Sequence, residues 1–251
     1  LAESLFISDL HLSAERPTAL RLFLRFLRER AVQAERLYIL GDLFDAWIGD
    51  DDRETPAAEV IAGLRELTDA GVGVLLQRGN RDFLLGRRFC HATGCCLLTD
   101  PARIDLYGAP TLLMHGDLLC SDDHDYQRVR RRLRNPFVQW LFLCKSLDRR
   151  RAMAADYRRR SGEAMATKSA DLMDVNDHTV RDYMLRHTVA RLIHGHTHRP
   201  AVHRLDLDGL TAKRIVLGDW DDTTAPYLEA SPTGCTPSSF PAPGTLYPPA
   251  L

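Results

Sequence analysis

Arg36-Leu-Tyr-Ile-Leu-Gly-Asp-Leu-Phe-Asp45 joins a short apolar run to a glycine and two carboxylates. The apolar part is too short for a helix and stops at Gly41-Asp42, so it reads as a buried strand ending in a polar turn. The pattern recurs along the chain. Residues 4–7 precede Ser8-Asp9, residues 72–77 precede Arg78-Gly79-Asn80, and residues 111–114 precede His115-Gly116. Residues 189–193 precede His194-Gly195-His196, and residues 214–217 precede Gly218-Asp219. Between some of these runs the spacing turns helical: 17–30 places Leu20, Phe23, Leu24 and Leu27 on one face, and 56–70 and 175–187 look similar. Alternating strands and helices predict a layered α/β fold. Polar clusters that follow strands converge on one sheet edge, the usual ligand-binding edge of such folds.

The chain's 251 residues suit one domain with an insertion, or a large and a small lobe, and 45% apolar residues suffice for a core without disulfides. Six cysteines occur without CxxC spacing, and Glu3 and Asp9 interrupt the first ten residues. No secretory signal is therefore expected, and reduced thiols and a cytoplasmic location are. The apolar cluster at 137–144 is broken by Gln139 and falls far short of the ~20 residues of a membrane span.

A net charge of −1 conceals an asymmetry. Residues 124–160 hold 12 Arg and Lys against Asp125, Asp148 and Asp156, a balance of +9, which leaves −10 for the rest. An acidic body suits cations, and the basic segment suits a phosphate, a nucleic acid or a lipid headgroup. That segment lies in a stretch, about 121–174, which breaks the strand–helix rhythm and reads as a mostly helical insertion or cap, with Asn135-Pro136 a turn or helix start. The expected division is a domain over 1–230 carrying this insertion. The tail, 231–251, has six prolines and no charged residue, and is expected to be irregular.

Five motifs stand out: Asp9-Leu-His11, Gly41-Asp42-Leu-Phe-Asp45, Gly79-Asn80-Arg-Asp82, His115-Gly-Asp117 and Gly195-His196-Thr-His198. Singly, a Gly-Asp or Gly-Asn is an ordinary turn. Three imidazoles within His194-Gly-His-Thr-His198 are harder to explain by packing. All five, each at a strand end, point to metal. A carboxylate can bridge two cations, and neutral imidazoles with an Asn carbonyl complete the shells without over-neutralising them. Such oxygen and nitrogen ligation without thiolate suits Mn²⁺, Fe or Zn²⁺. Two such cations about 3.5–4 Å apart serve phosphoester or pyrophosphate hydrolysis. Asp45 and Asp117 are expected to orient ligand imidazoles, and His194 to stand behind the ligands.

The ordered set resembles the calcineurin-like metallophosphoesterases, whose signature is D-x-H, G-D-x-x-D, G-N-H-[DE], G-H and G-H-x-H. The resemblance implies a four-layer α-β-β-α sandwich. It also implies one metal on Asp9, His11, Asp42 and His198 and a second on Asp42, Asn80, His115 and His196. One position departs: the usual His after Gly-Asn is Arg81, which cannot act as a general acid near neutral pH but pairs with phosphate.

Further stretches are more specific: Phe6-Ile-Ser-Asp-Leu-His-Leu12, Tyr38 to Asp51 with Trp47 and the acidic run Asp50-Asp51-Asp52, Gly79-Asn-Arg-Asp-Phe-Leu84, and Met173-Asp-Val-Asn176. They resemble the hydrolases that cleave the pyrophosphate of UDP-2,3-diacylglucosamine in lipid A biosynthesis. That resemblance implies two Mn²⁺ ions and release of UMP and a diacylglucosamine 1-phosphate. It implies peripheral attachment to the cytoplasmic face of the inner membrane, with a monomeric chain and no nucleic-acid partner expected. Catalytic roles fall on Asp42, Asn80, Arg81 and His115. Substrate contacts fall on Asn80, Arg81, Asp123, Ser161, Lys168 and His196, with Tyr126 close by. Met165 stands where the family pattern is usually polar. Within the insertion, Phe137, Trp140, Leu141 and Leu143 are expected to line an acyl groove or touch the bilayer, or else to pack on the core. Arg130–Arg132 and Arg149–Arg151 are expected to face headgroups. The rival readings are another two-metal phosphodiesterase or nucleotide pyrophosphatase of the superfamily, and a scaffold that has lost catalysis. No ligand of the set is missing, which speaks against the scaffold.

Overall fold

The computed structural model describes residues 3–166 and 174–241. In chain order the elements are β1 (Ser4–Ile7), α1 (Pro17–Glu29), β2 (Arg36–Leu40), α2 (Ala57–Asp69), β3 (Gly73–Gln77), α3 (Arg87–Thr93), β4 (Cys96–Leu97), β5 (Ala102–Leu106) and β6 (Ala109–Met114). There follow α4 (His124–Leu133), α5 (Pro136–Leu143), α6 (Leu147–Ala166), α7 (Asp177–Arg186), β7 (Arg191–His194), β8 (Ala201–Leu207), β9 (Leu210–Val216), β10 (Thr224–Ser231) and β11 (Gly234–Pro241).

The strands form two sheets, ordered β11-β10-β1-β2-β3-β4 and β5-β6-β7-β9-β8. Side chains alternate across a strand, and the first sheet uses both faces. Leu5 and Ile7 of β1 join Leu37 and Ile39 of β2 against Phe23, Phe26, Val60 and Leu64 of α1 and α2. Phe6, Tyr38 and Leu40 face the other way, onto Leu113, Ile193 and Ile215 of the second sheet. Phe6 and Tyr38 are register partners, and their rings stack 4.5 Å apart. On its far face the second sheet buries Leu112, Met114 and Leu192 against Val180 and Met184 of α7. The result is the expected four layers, α-β-β-α. Each buried Leu, Ile or Phe removed from water contributes about 1.5–3 kcal/mol.

Helix boundaries follow local chemistry. Pro17 opens α1, the Asn176 side chain accepts from Thr179 N at the start of α7, and Asn135 caps α5 just before Pro136. Strand direction places the site. β1, β2 and β3 run parallel, with Ile7 opposite Ile39 and Leu40 opposite Gln77. β6 and β7 are also parallel, with Met114 opposite His194. All five strands therefore end at one edge of the sandwich.

The tail corrects the sequence expectation. Gly234 to Pro241 forms β11, paired antiparallel to β10, and Phe240 is buried beside Phe26. A strand with Pro237 and Pro241 is tolerated because β11 is the edge strand, where missing N–H donors disrupt no second neighbour. The part of the tail beyond Pro241 lies outside the described residues. No described helix is long and apolar enough to cross a membrane.

Candidate metal centre

The five motifs meet. Asp9 N donates to Gly41 O at 3.1 Å, Leu10 N to Asp42 O at 2.9 Å, and Gly195 N to His115 O at 2.8 Å. With the bond from His196 N to Asp9 Oδ2, they stitch the loops after β1, β2, β6 and β7 into one floor. Asp82 adds a buried staple: its carboxylate accepts Gly79 N at 2.7 Å and Leu43 N at 2.8 Å, joining the loops after β2 and β3. The approach is close enough to require glycine. A Cβ on Gly79 would stand 2.0 Å from Asp42 Oδ1.

Five of the expected ligands occupy left-handed backbone: Asp9 (φ 56°), His11 (48°), Asp42 (52°), His196 (72°) and His198 (55°). Such conformations are uncommon for residues other than glycine and concentrate at functional sites. Here they turn consecutive side chains inward over the strand ends.

Asp9 and Asp42 are fully buried, as is His115. His11 Nδ1 lies 3.9 Å and His115 Nε2 3.7 Å from Asp42 Oδ2, while His198 Nε2 lies 3.5 Å from Asp9 Oδ1. Asp42 thus stands between the two groups of ligands, as a bridging carboxylate would. Asp9 and Asp42 fall in two overlapping clusters of metal-binding groups, Asp9 with His11 and His198, and Asp9 with Asp42 and His115.

The donor set fits cations. His115 Nδ1 is 2.9 Å from Leu40 O, which fixes a proton on that nitrogen and turns Nε2 toward the other ligands. That Nε2 stands 2.8 Å from Asn80 Oδ1, so a cation bound by both would displace the proton that joins them. His11 Nε2 and His198 Nε2 are likewise only 3.3 Å apart. Neighbouring ligands at 2.0–2.1 Å from one cation are separated by about 3 Å, so both pairs have the spacing of a shared ion. Asp9 Oδ1 is buried without a hydrogen-bond partner, a further open acceptor.

Electrostatics agree with this reading. Burial pushes Asp42 up to about 7, against the opposing charge of His115. Burial alone would lower His115, but Asp42, Asp9 and Asp117 raise it to about 9. Without metal the pair holds a proton that a cation would displace. Burial pushes His11 and His196 down to about 4, so both are neutral and available as ligands at pH 7. Burial would raise Asp9, yet His198, His115 and His11 hold it well below the usual carboxylate range.

The supporting residues differ from expectation in two places. Asp45 does not orient an imidazole: it pairs with Arg158 of α6. Asp117 makes no hydrogen bond to a ligand among the described residues, its Oδ2 accepting Tyr126 Oη at 2.8 Å and Arg130 Nε at 2.6 Å, and it acts on His115 and His196 through its charge. The orienting roles fall instead to the Leu40 carbonyl for His115 and to Asp219, 3.3 Å from His198 Nδ1. Asp219 was visible in the sequence only as one more strand-end Gly-Asp. His194 is buried behind the loop, its Nδ1 2.8 Å from Gly195 O and its Nε2 3.4 Å from Arg214 Nη1. Burial pushes it down to about 3.

Above the metal ligands lies a cavity of about 270 Å³, bordered by Asn80, Arg81, Asp123, Tyr126, Ser161 and His196. The structure therefore gathers every expected substrate contact except Lys168, which lies outside the described residues together with Met173. A second cavity of about 330 Å³ adjoins it through Asn80, Arg81 and Tyr157, and is walled by Trp47, Phe83, Val138, Leu141, Phe142 and Met153. Leu141 thus lines a groove, while Phe137 and Trp140 are 64% and 58% exposed on the outer side of α5. Of the arginines expected at the surface, Arg130 is paired with Asp117, Arg150 is buried on Asp51, and Arg151 pairs with Asp52 and Glu54. Arg131, Arg132 and Arg149 remain exposed. The difference has a simple cause: helical periodicity turns part of any basic run back toward the body, whose acidic loop 50–54 receives it.

Two facing sheets with carboxylate and imidazole ligands on loops at one edge define a two-metal phosphoesterase, and the chain belongs to the calcineurin-like phosphoesterase family, whose sequence model matches residues 4–200. That family implies a dinuclear site for divalent metals and metal-dependent hydrolysis. Its relatives include the protein of Azotobacter vinelandii named UDP-2,3-diacylglucosamine hydrolase, 54% identical over 218 residues, 87% of this chain and 90% of that one. Those of the same name from Pseudomonas aeruginosa and Serratia proteamaculans are 54% and 52% identical, each over 86% of this chain and 90% of theirs.

Proposed function

We propose that this protein hydrolyses the pyrophosphate of UDP-2,3-diacylglucosamine to UMP and 2,3-diacylglucosamine 1-phosphate. Relatives of that name at 50–54% identity support the reaction. The observation in the fold that carries it is the pair of adjoining cavities, one polar over the metal ligands and one apolar beneath α5 and α6. A nucleotide diphosphate joined to two acyl chains needs both environments within one molecule's reach.

Two Mn²⁺ ions are the proposed cofactors; Asp9, His11, Asp42 and His198 would hold one, and Asp42, Asn80, His115 and His196 the other. When bound, the pair supplies an activated water and positive charge at the phosphoryl oxygens. The remaining chemistry belongs to the chain. That Arg81 borders both cavities supports its pairing with the pyrophosphate, where its fixed charge offsets charge developing on the leaving phosphate. That leaving group needs little protonation, which accounts for an arginine at this position. Asp123, Ser161, Lys168 and His196 hold the nucleotide sugar. The buried Trp47 and the flanking Leu and Phe side chains exclude water from the acyl end.

The exposed Phe137 and Trp140 suit peripheral contact with the cytoplasmic face of the inner membrane, on the same helix that carries Val138 and Leu141 into the acyl cavity. Neither a nucleic-acid partner nor a partner subunit is needed for this activity, and we take the chain to act as a monomer. The test is UMP release from UDP-2,3-diacylglucosamine in detergent with Mn²⁺, beside a chelated control. Metal-dependent UMP with the sugar 1-phosphate as co-product is expected. Turnover of soluble phosphodiesters alone would remove the lipid substrate while keeping the metal centre.

A further inference from the structure

The acidic run Asp50-Asp51-Asp52 and the glycine before it have no part in the metal centre, yet they are placed with unusual care. Arg150 of α6 has 3% relative exposure, although Arg149 beside it is exposed. Each of its nitrogens is engaged. Nε donates to Lys145 O at 3.1 Å, Nη1 to Ile48 O at 2.7 Å and Asp51 Oδ1 at 2.8 Å, and Nη2 to Asp51 Oδ2. One guanidinium therefore holds the turn between α5 and α6 and, at the same time, the loop after β2. Gly49 makes the approach possible. Its φ is +140°, and a Cβ there would lie 2.4 Å from Arg150 Nη1.

The neighbouring carboxylate fixes the other wall. Asp50 Oδ1 accepts Trp47 Nε1 at 3.1 Å and Gly86 N at 3.0 Å, and Oδ2 accepts Arg88 N at 3.0 Å and Phe89 N at 3.1 Å. Trp47 is thereby pinned to the start of α3. Trp47 and Ile48 form one side of the apolar cavity, and Val138, Leu141, Phe142 and Met153, carried by α5 and α6, form the other. Two adjacent aspartates thus set the positions of the two opposing walls. Arg151, on Asp52 and Glu54, and Arg158, on Asp45, extend the same seam.

We propose that Arg150 is a positioning residue that sets the width of the apolar cavity, and with it the selection of acyl-chain length, by clamping the α5–α6 turn onto Ile48 and Asp51. The selectivity part rests on the reading under Proposed function; the clamp does not. The fork is needed as well as the charge, because three separate acceptors are reached at fixed angles, and a lysine ammonium cannot reproduce that.

The experiment compares wild type with Arg150→Gln, Arg150→Lys and Asp51→Asn. Hydrogen exchange reads the clamp, and KM and kcat on long- and short-acyl UDP-2,3-diacylglucosamines read the selection. Metal content and a cooperative melt report the intact core. Expected are faster exchange confined to α5, α6 and the 47–52 loop, and a KM for the long-acyl substrate raised about tenfold or more with kcat within about twofold. The long-to-short preference should move toward one, and Arg150→Lys should recover only part of it. Unchanged exchange in α5 and α6 overturns the clamp. Faster exchange with the wild-type acyl preference intact overturns the width assignment. A fall in kcat alike on all chain lengths overturns it too, placing Arg150 in the support of the core. If wild type itself releases no UMP, the proposed substrate fails, while the exchange data still decide the clamp.

Discussion

The backbone N–H of His196 donates to Asp9 Oδ2 at 2.8 Å, joining residues 187 positions apart. Ser8 Oγ donates to the same oxygen at 2.6 Å, so Oδ2 is saturated while Oδ1 stays open toward His198 and His11. One carboxylate therefore assembles the site with one oxygen and offers the other to a cation.

Gly195 makes that contact possible, since a Cβ there would lie 2.2 Å from both Asp9 Oδ2 and Ser8 Oγ. Gly195→Ala is expected to cost about 1–3 kcal/mol of stability through forced separation of the two loops. Divalent-metal affinity should fall at least about tenfold. Melting and metal titration of the variant check both; wild-type metal affinity would show the contact to be dispensable.

Asp219 lies 3.3 Å from Nδ1 of His198, the nitrogen turned away from Asp9. Asp219→Asn should keep the fold and weaken binding of metal about 10–100-fold, with activity recovered as Mn²⁺ is raised. Activity that stays low at saturating Mn²⁺ would instead place Asp219 in contact with substrate.

Arg81 borders both cavities and presents a planar guanidinium suited to phosphate. Arg81→Ala is expected to lower kcat/KM about 10²–10³-fold, and Arg81→Lys to restore part of it. The acidic and basic limbs of the pH–rate profile should stay where they are. A limb that disappears in the alanine variant would refute a purely electrostatic role.

The pH dependence of the metal-free protein has a defined sign. Burial depresses His11 and His196 to about 4 and His194 to about 3, from 6.5, so each favours folding as pH rises toward 6.5. Asp42, raised from 3.8 to about 7, works against this trend over part of the same range. Above neutrality His115 remains: its folded value of about 9 means a contribution present below 6.5 and lost as pH rises through 9. Melting of chelated protein should therefore peak near neutral pH and decline toward pH 9. With Mn²⁺ the alkaline decline should vanish, because the metal takes the place of the proton shared by His115 and Asp42, and metal affinity should rise with pH. An alkaline decline of equal size with and without Mn²⁺ would exclude that exchange.

Much was legible before any coordinates. β1 and β2 coincide with the apolar runs that end at Ser8-Asp9 and Gly41-Asp42, and α1, α2 and α7 lie within the helical spacings. Strand β11 was not legible: proline-rich and uncharged, it has no pattern of its own and takes its structure from β10 and the edge position. The roles of Asp45 and Asp117 were misread for a related reason. Adjacency to a ligand in sequence says which loop a carboxylate is on, and not which cation in the folded chain it meets.

The sequence by itself determined the layers, the metal-binding residue types and their order, because strand periodicity and ligand chemistry are local properties written in a few neighbouring residues. Tertiary structure alone decided which oxygen faces a metal, that Asp219 rather than Asp117 braces an imidazole, and that Arg150 is buried while Arg149 is exposed. Those outcomes depend on left-handed turns and on contacts such as Arg150 with Asp51, 99 residues apart. A charge in a sequence has no partner until folding brings one within hydrogen-bonding distance.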